Sequence, residues 1–323
     1  MIRFGALMRC GGLLAALAAC SPPVAPAAPE QVVRPVERTV APPAPPAPVQ
    51  TIAPSEESEK LRVYYRRLQN DLLTQGLLRG DGGGVDTPFT DTMLARNFIR
   101  IALYDEYAAD GDSLRAQVTE SRLRRWDQPI RMAVEFGPSV PDAQRARDRT
   151  GVASYAARLS RVSGLPIRMT DQNPNFHVLF LSEDDRAGYA DRLRKIVPGI
   201  GAGSLRAIMA LPRDQLCIVI AFSEGGSSSY AKAVAVIRAE HPDLLRTSCV
   251  HEEVAQGLGL ANDSPQARPS IFNDDEEFGL LTTHDELLLK MLYDPRFTTG
   301  MSVQDAAPIA RRIATELIGG GAS

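Results

Sequence analysis

Between Cys249 and Asp263 the chain reads CVHEEVAQGLGLAND. Residues of these types at these spacings could form a metal-assisted hydrolytic site. A helix of that kind presents two metal ligands four residues apart, with a glutamate beside the first to take a proton from bound water. If the pattern starts at His251, Glu252 is the base but Ala255 stands where the second ligand belongs. If it starts at Glu252, Glu252 and Gln256 occupy the ligand positions on one helix face and Glu253 is the base. Gly259, Asn262 and Asp263 follow in this second register.

The donors decide what such a site could hold. Catalytic zinc takes three protein ligands, usually histidine, and keeps a fourth position for water. Glu252 can ligate, but Gln256 and Asn262 offer neutral amide oxygens, which are weak zinc donors. One carboxylate and two amides suit a hard cation such as calcium better, and calcium wants six or more oxygens. Asp263, Asp274 and Asp275 could add some. A zinc recruited together with His251 or His284 is a further alternative. The plainest reading has no functional metal: Glu252, Gln256 and Asn262 form a hydrogen-bonded polar network in which each group is satisfied. Glu253 is then an acceptor in that network, and it is a general base only beside a metal or a polarised water. His251 falls on another face of the helix, His177 in a strand, His241 before Pro242 and His284 near a helix start, a thin supply for a zinc enzyme.

Other catalytic patterns are weaker. There is no G-x-S-x-G nucleophile elbow. The acidic run Asn273–Glu277 lacks the spacing and central glycine of a calcium loop and reads as a solvated turn. Arg79–Gly84, RGDGGG, lacks the flanking strand and helix of a phosphate loop and reads as a flexible turn. Asp285 and Glu286 read as first-turn acids that complement a helix dipole.

These residues need a scaffold. Acidic residues 56, 57 and 59 and apolar residues at helical spacing predict a helix over 55–78. A second helix is expected over 93–109, opened by Thr90 and Asp91, and a strand over 126–136, alternating after Pro129. A long helix over 141–163 should stop at Gly164. A strand buried on both faces is expected over 175–182, then a helix over 183–196. Strands over 217–222 and 230–239 flank Glu224–Ser229, which has hairpin-loop chemistry. Helices over 242–258, 282–293 and 303–317 complete the body.

In the register that starts at Glu252, the segment resembles the metal-binding helix of metzincin zinc peptidases with all three histidines replaced. Ser270–Asn273, SIFN, stands where that clan carries its Met-turn, with Phe272 in place of methionine, and Leu281–Tyr293 resembles its closing helix. The order of strands and helices ahead of the key helix agrees. More closely, EExxQxLGLxND, SIFND and HDELLLKMLYD resemble the bacterial domain-of-unknown-function family 2927, whose members are often lipoproteins and have no assigned activity. The resemblance covers about residues 91–302 and implies an α+β, zincin-like mixed sheet with packed helices.

The N-terminus bears on compartment. One early positive charge, a small-residue apolar run and Leu17-Ala-Ala-Cys20 resemble a bacterial lipoprotein signal ending in its lipobox. This implies a lipid on Cys20, and Ser21 after it points to the outer membrane, facing the periplasm. A Pro/Ala-rich stretch follows to residue 54; it cannot bury a core and reads as an extended tether. The expected organisation is signal peptide 1–19, tether 20–54, helical extension 55–90, zincin-like domain 91–302, and C-terminal helix and tail 303–323. In an oxidising compartment Cys217 and Cys249 are candidates for a disulfide. A slightly negative net charge and a single Trp give nucleic-acid binding no support. The expected function is a non-catalytic binding or scaffolding module of the envelope, pseudopeptidase-like, for a peptide, protein or peptidoglycan partner, with no cofactor needed. The alternatives are a divergent metal-dependent hydrolase with Glu253 as base, and a purely structural lipoprotein whose cleft is filled.

Overall fold

The computed structural model describes residues 53–110, 113–273 and 275–319. The expected signal peptide, Cys20, the tether up to residue 52 and Asp274 lie outside the described residues. No helix among the described residues is long and apolar enough to cross a membrane.

Helix α1, Glu56–Thr74, starts where the Ser55 side chain accepts the Ser58 N–H and three glutamates crowd the first turn. Its inward stripe, Leu61, Tyr65 and Leu72, packs with Leu78 and Leu245. Helix α2, Asp91–Ala102, is capped by Thr90, whose hydroxyl accepts the Met93 N–H at 3.2 Å. Thr90→Ala should cost about 1 kcal/mol; urea unfolding that shows no shift in midpoint would contradict this.

The helix expected over 93–109 is shorter than its periodicity suggested. It ends at Ala102, and Tyr104–Asp110 is strand β1, paired antiparallel with β2, Ser113–Glu120. The reason lies in the tertiary setting: the backbone after Leu103 is taken up by pairing, beginning with Tyr104 opposite Glu120.

The main sheet has five strands: β3, Ile130–Phe136; β4, Ile167–Met169; β5, Phe176–Leu181; β6, Cys217–Ser223; and β7, Tyr230–Arg238. Their order is β4-β3-β5-β7-β6. All pairings are parallel except β6 with β7. The β6–β7 hairpin turns through Gly225 and Gly226, both at positive φ, as the glycine-rich loop suggested. Strand β5, FHVLFL, is buried along its whole length, as expected for a strand covered on both faces.

One face carries Phe176, Val178, Phe180, Ala233, Ala235 and Ile237 against the larger core. That core includes α2, α3 (Asp142–Ser163), α7 (Asp243–Gln256), α8 (Thr283–Leu292) and α9 (Val303–Gly319). The other face buries Leu179, Leu181, Val234 and Val236 against short helices. These are α5, Ala190–Ile196, and α6, Ala202–Met209; α4, Glu183–Arg186, precedes them. The single helix expected over 183–196 is thus two, separated around Gly188. Helix α3 stops at Gly164, which adopts the left-handed conformation at φ 72°. The result is a mixed α/β body: a mostly parallel five-stranded sheet with helices packed on it.

Candidate functional site

Helix α7 runs beside β6 and is fixed to it twice. Cys249 on the helix and Cys217 at the start of the strand form a disulfide. One turn further along, the Glu253 carboxyl faces the backbone N–H of Val219, which partly offsets the influences against its charge. Beyond the helix the chain is held tightly. Trp126 Nε1 donates to the Gly257 carbonyl at 2.9 Å and Tyr293 Oη donates to the Leu258 carbonyl at 2.9 Å. Gly259 sits at φ 126° against the Arg124 carbonyl, so no side chain fits there.

Glu252, Glu253 and the sulfur of Cys217 offer donor atoms within 4.8 Å of one another. Cys217 is spent in the disulfide, so it brings no thiolate. Glu253 is buried and Glu252 partly so. Burial, then Asp263 and Glu253, raise the Glu252 carboxyl well above the ordinary range, and Glu276 and Glu106 add to the effect. Burial, then Glu106 and Asp263, do the same to Glu253. These surroundings favour the neutral form of both carboxyls, and a Glu253 held in that form is a proton donor and a poor base.

The other two candidates are engaged through their amide nitrogens. Gln256 Nε2 donates to Asp263 Oδ1 at 3.1 Å. Asn262 Nδ2 donates to the carbonyls of Arg100 at 2.9 Å and Asp263 at 2.8 Å. Asn262 is fully buried, and its Oδ1 has no hydrogen-bond partner among the described residues. The structure therefore gathers Glu252 and Glu253 with acidic neighbours, and links Gln256 and Asn262 through Asp263. The donor set does not suit zinc, which would be offered two carboxyl groups and neutral amides without imidazole or thiolate.

The histidines are occupied elsewhere. His251 stacks flat on Tyr155, with ring centres 3.9 Å apart, and its Nδ1 accepts the Leu281 N–H at 3.1 Å. Burial, aided by Arg158, lowers its pKa to about 3. His284 is buried, with Nε2 3.1 Å from Asn97 Nδ2. His241 lies 3.7 Å from Cys249 Sγ. His177 pairs through Nδ1 with Glu135 at 2.8 Å. Burial opposes the Glu135 charge, but His177 and Arg192 outweigh it and bring the carboxyl down to about 2. No sequence motif marks this group, because its members come from three separate elements.

The segment expected to stand in for a Met-turn is anchored by Asp285. Its Oδ1 accepts from Ser270 Oγ at 2.6 Å. Its Oδ2 accepts from the Ile271 N–H at 3.1 Å, the Thr282 N–H at 3.0 Å and Thr282 Oγ1 at 2.8 Å. Phe272 is fully buried in the main core.

A mixed α/β domain with an acidic helix beside an antiparallel edge strand is thus the class that the coordinates define. A family model described as "Protein of unknown function (DUF2927)" matches residues 91–312, and the chain belongs to that family. No curated protein and no solved structure matches it.

Glu253→Gln keeps the acceptor for Val219 and removes the titration. A carboxyl whose pKa is raised in the folded state contributes stability that is fully present below the unfolded value, 4.5, and is lost as pH rises through the folded value. The variant should therefore match the wild type near pH 4.5 and exceed it increasingly above. Calorimetry showing parallel pH profiles would refute this.

Proposed function

We propose that this chain is a lipid-anchored module of the bacterial cell envelope whose zincin-like domain binds an extended peptide without cleaving it. The peptide would belong to a protein or to peptidoglycan. The observation that carries the reading is the placement of Glu253: the candidate base is buried on α7 beside the edge strand, where burial, Glu106 and Asp263 all oppose its charge. Such a group braces a cleft wall and does not activate water.

Three further features support it. The edge strand β6 is the one antiparallel member of the sheet, and its outer edge has no strand partner among the described residues. An open edge is a template for strand addition. The order of strands and helices read from the sequence ahead of α7 resembles the metzincin plan. The lipobox-like Leu17–Cys20 supports an anchor and a periplasmic setting.

The test is a photo-crosslinking residue at the exposed Ser223, in cells producing the full chain. A discrete adduct that competes away with peptide released from it supports strand addition; absence of any adduct sinks it. The hydrolase alternative is met separately. The full chain, purified without a histidine tag, is assayed for metal and for cleavage of a quenched peptide library with zinc or calcium added. Stoichiometric metal lost in Glu252→Ala, with cleavage lost in Glu253→Gln, would replace the binding reading with a hydrolase.

A further inference from the structure

A cavity of about 520 Å³ opens between α3 and α7, over the ring of Phe180. It lies away from the acidic face of α7. Asp243, Arg246, Thr247 and Val250 line it at positions i, i+3, i+4 and i+7, one stripe of the helix, whereas Glu252 and Gln256 occupy the opposite side. Its volume is in the range of small-molecule sites, which are mostly apolar with a few placed polar groups.

Two features of the wall bear on what the space could take. The first is Gly151, in the middle of the 22-residue helix α3 and in the cavity wall. A glycine inside a helix costs stability relative to alanine. It is usually excused by a positive φ or a close backbone approach. Gly151 has neither: it is exposed at the mouth of the space, and a Cβ built there meets nothing within 4 Å. What the missing side chain leaves behind is room.

The second is His251, also in the wall. Its Nδ1 accepts a backbone N–H, so the neutral ring carries its proton on Nε2. That N–H has no partner among the described residues. The lining also carries three arginines against two aspartates. Arg246 is committed, with Nε 2.9 Å from both oxygens of Asp148 and Nη2 2.7 Å from Asp243. Arg158 gives Nε to Glu286 and Nη2 to the Leu281 carbonyl. Arg147 is largely exposed and only 3.6 Å from Asp243 at its nearest. An apolar floor, a neutral donor and an exposed guanidinium at the rim together suit an acceptor anion on an apolar body.

We propose that the α3–α7 cavity is a binding site for a small amphipathic carboxylic acid, its apolar body over Phe180 and Val152 and its carboxylate met by Arg147 and the His251 Nε2–H. The site is separate from the peptide cleft and does not depend on it.

The test is calorimetric titration of the full chain with octanoate, alongside 1-octanol and octylamine. Saturable 1:1 binding of octanoate, weaker for both comparison compounds, is the expected result. Gly151→Leu should fill the space, abolish octanoate binding and raise the melting temperature. Arg147→Glu, at an exposed position, should weaken binding roughly tenfold with the melting temperature unchanged. The proposal is overturned if octanoate does not saturate, if 1-octanol binds as tightly, or if octanoate binding survives in both variants.

Discussion

Replacing both Cys217 and Cys249 with alanine is expected to lower the stability of the domain by about 3–4 kcal/mol. The bridge spans 32 residues of sequence, and closing a loop of that length removes much of the freedom of the unfolded chain. For a domain of this size the loss should appear as a fall in melting temperature of roughly 10 °C. The wild type in the presence of a thiol reductant should reproduce it, once the buried bridge has opened. Because the same bridge fixes β6 to α7, the loss should extend to local protection. Amide exchange at Val219 and its neighbours should quicken more than exchange in β5. Equal melting temperatures with and without reductant, with reduction verified by mass, would show that the non-covalent contacts of α7 suffice.

Asp285→Ala should be as damaging, at about 2–6 kcal/mol, since each buried donor it strands costs about 1–3 kcal/mol. The carboxylate is fully buried and accepts four hydrogen bonds, two from the segment that precedes α8 and two that cap the helix itself. Removing it leaves the N–H groups of Ile271 and Thr282 buried without an acceptor. Asp285→Asn should recover part of the loss, since one oxygen remains but an NH₂ group is forced against donors. Thermal unfolding of the pair orders the outcomes: alanine worst, asparagine between. If the alanine variant melts within a degree or two of the wild type, the Ser270–Ile271 segment is held by its apolar contacts instead.

Asp285 also shows where reading the sequence stops. As a first-turn acid on a helix opened by Thr282 it was legible, and its capping box is present. That the same carboxylate reaches back to Ser270 was not, because hydrogen bonds across 15 residues leave no periodic trace. The strands of the main sheet follow from apolar runs bounded by turn residues, except the three-residue β4, too short to carry a pattern. Helix α2 was overextended because Tyr104 and Tyr107 continue its apolar spacing, while sheet pairing claims their backbone instead. At the site, the shared face of Glu252 and Gln256 was readable from helical geometry. The approach of Glu253 to Val219 depends on how the helix lies on the edge strand, and the cavity beside Gly151 on how α3 and α7 pack together; sequence spacing encodes neither.

The strand order has a consequence for synthesis. Strand β7 sits between β5 and β6, so the sheet cannot close until residues 230–238 have emerged. Until then β3, β4 and β5 can assemble through their parallel pairings, but β5 presents one unpaired edge of FHVLFL, free of proline and glycine. Such an edge is a seed for intermolecular association. Chains released before Tyr230 should aggregate, and the full-length chain would need to be kept from its neighbours until the hairpin arrives to cover that edge.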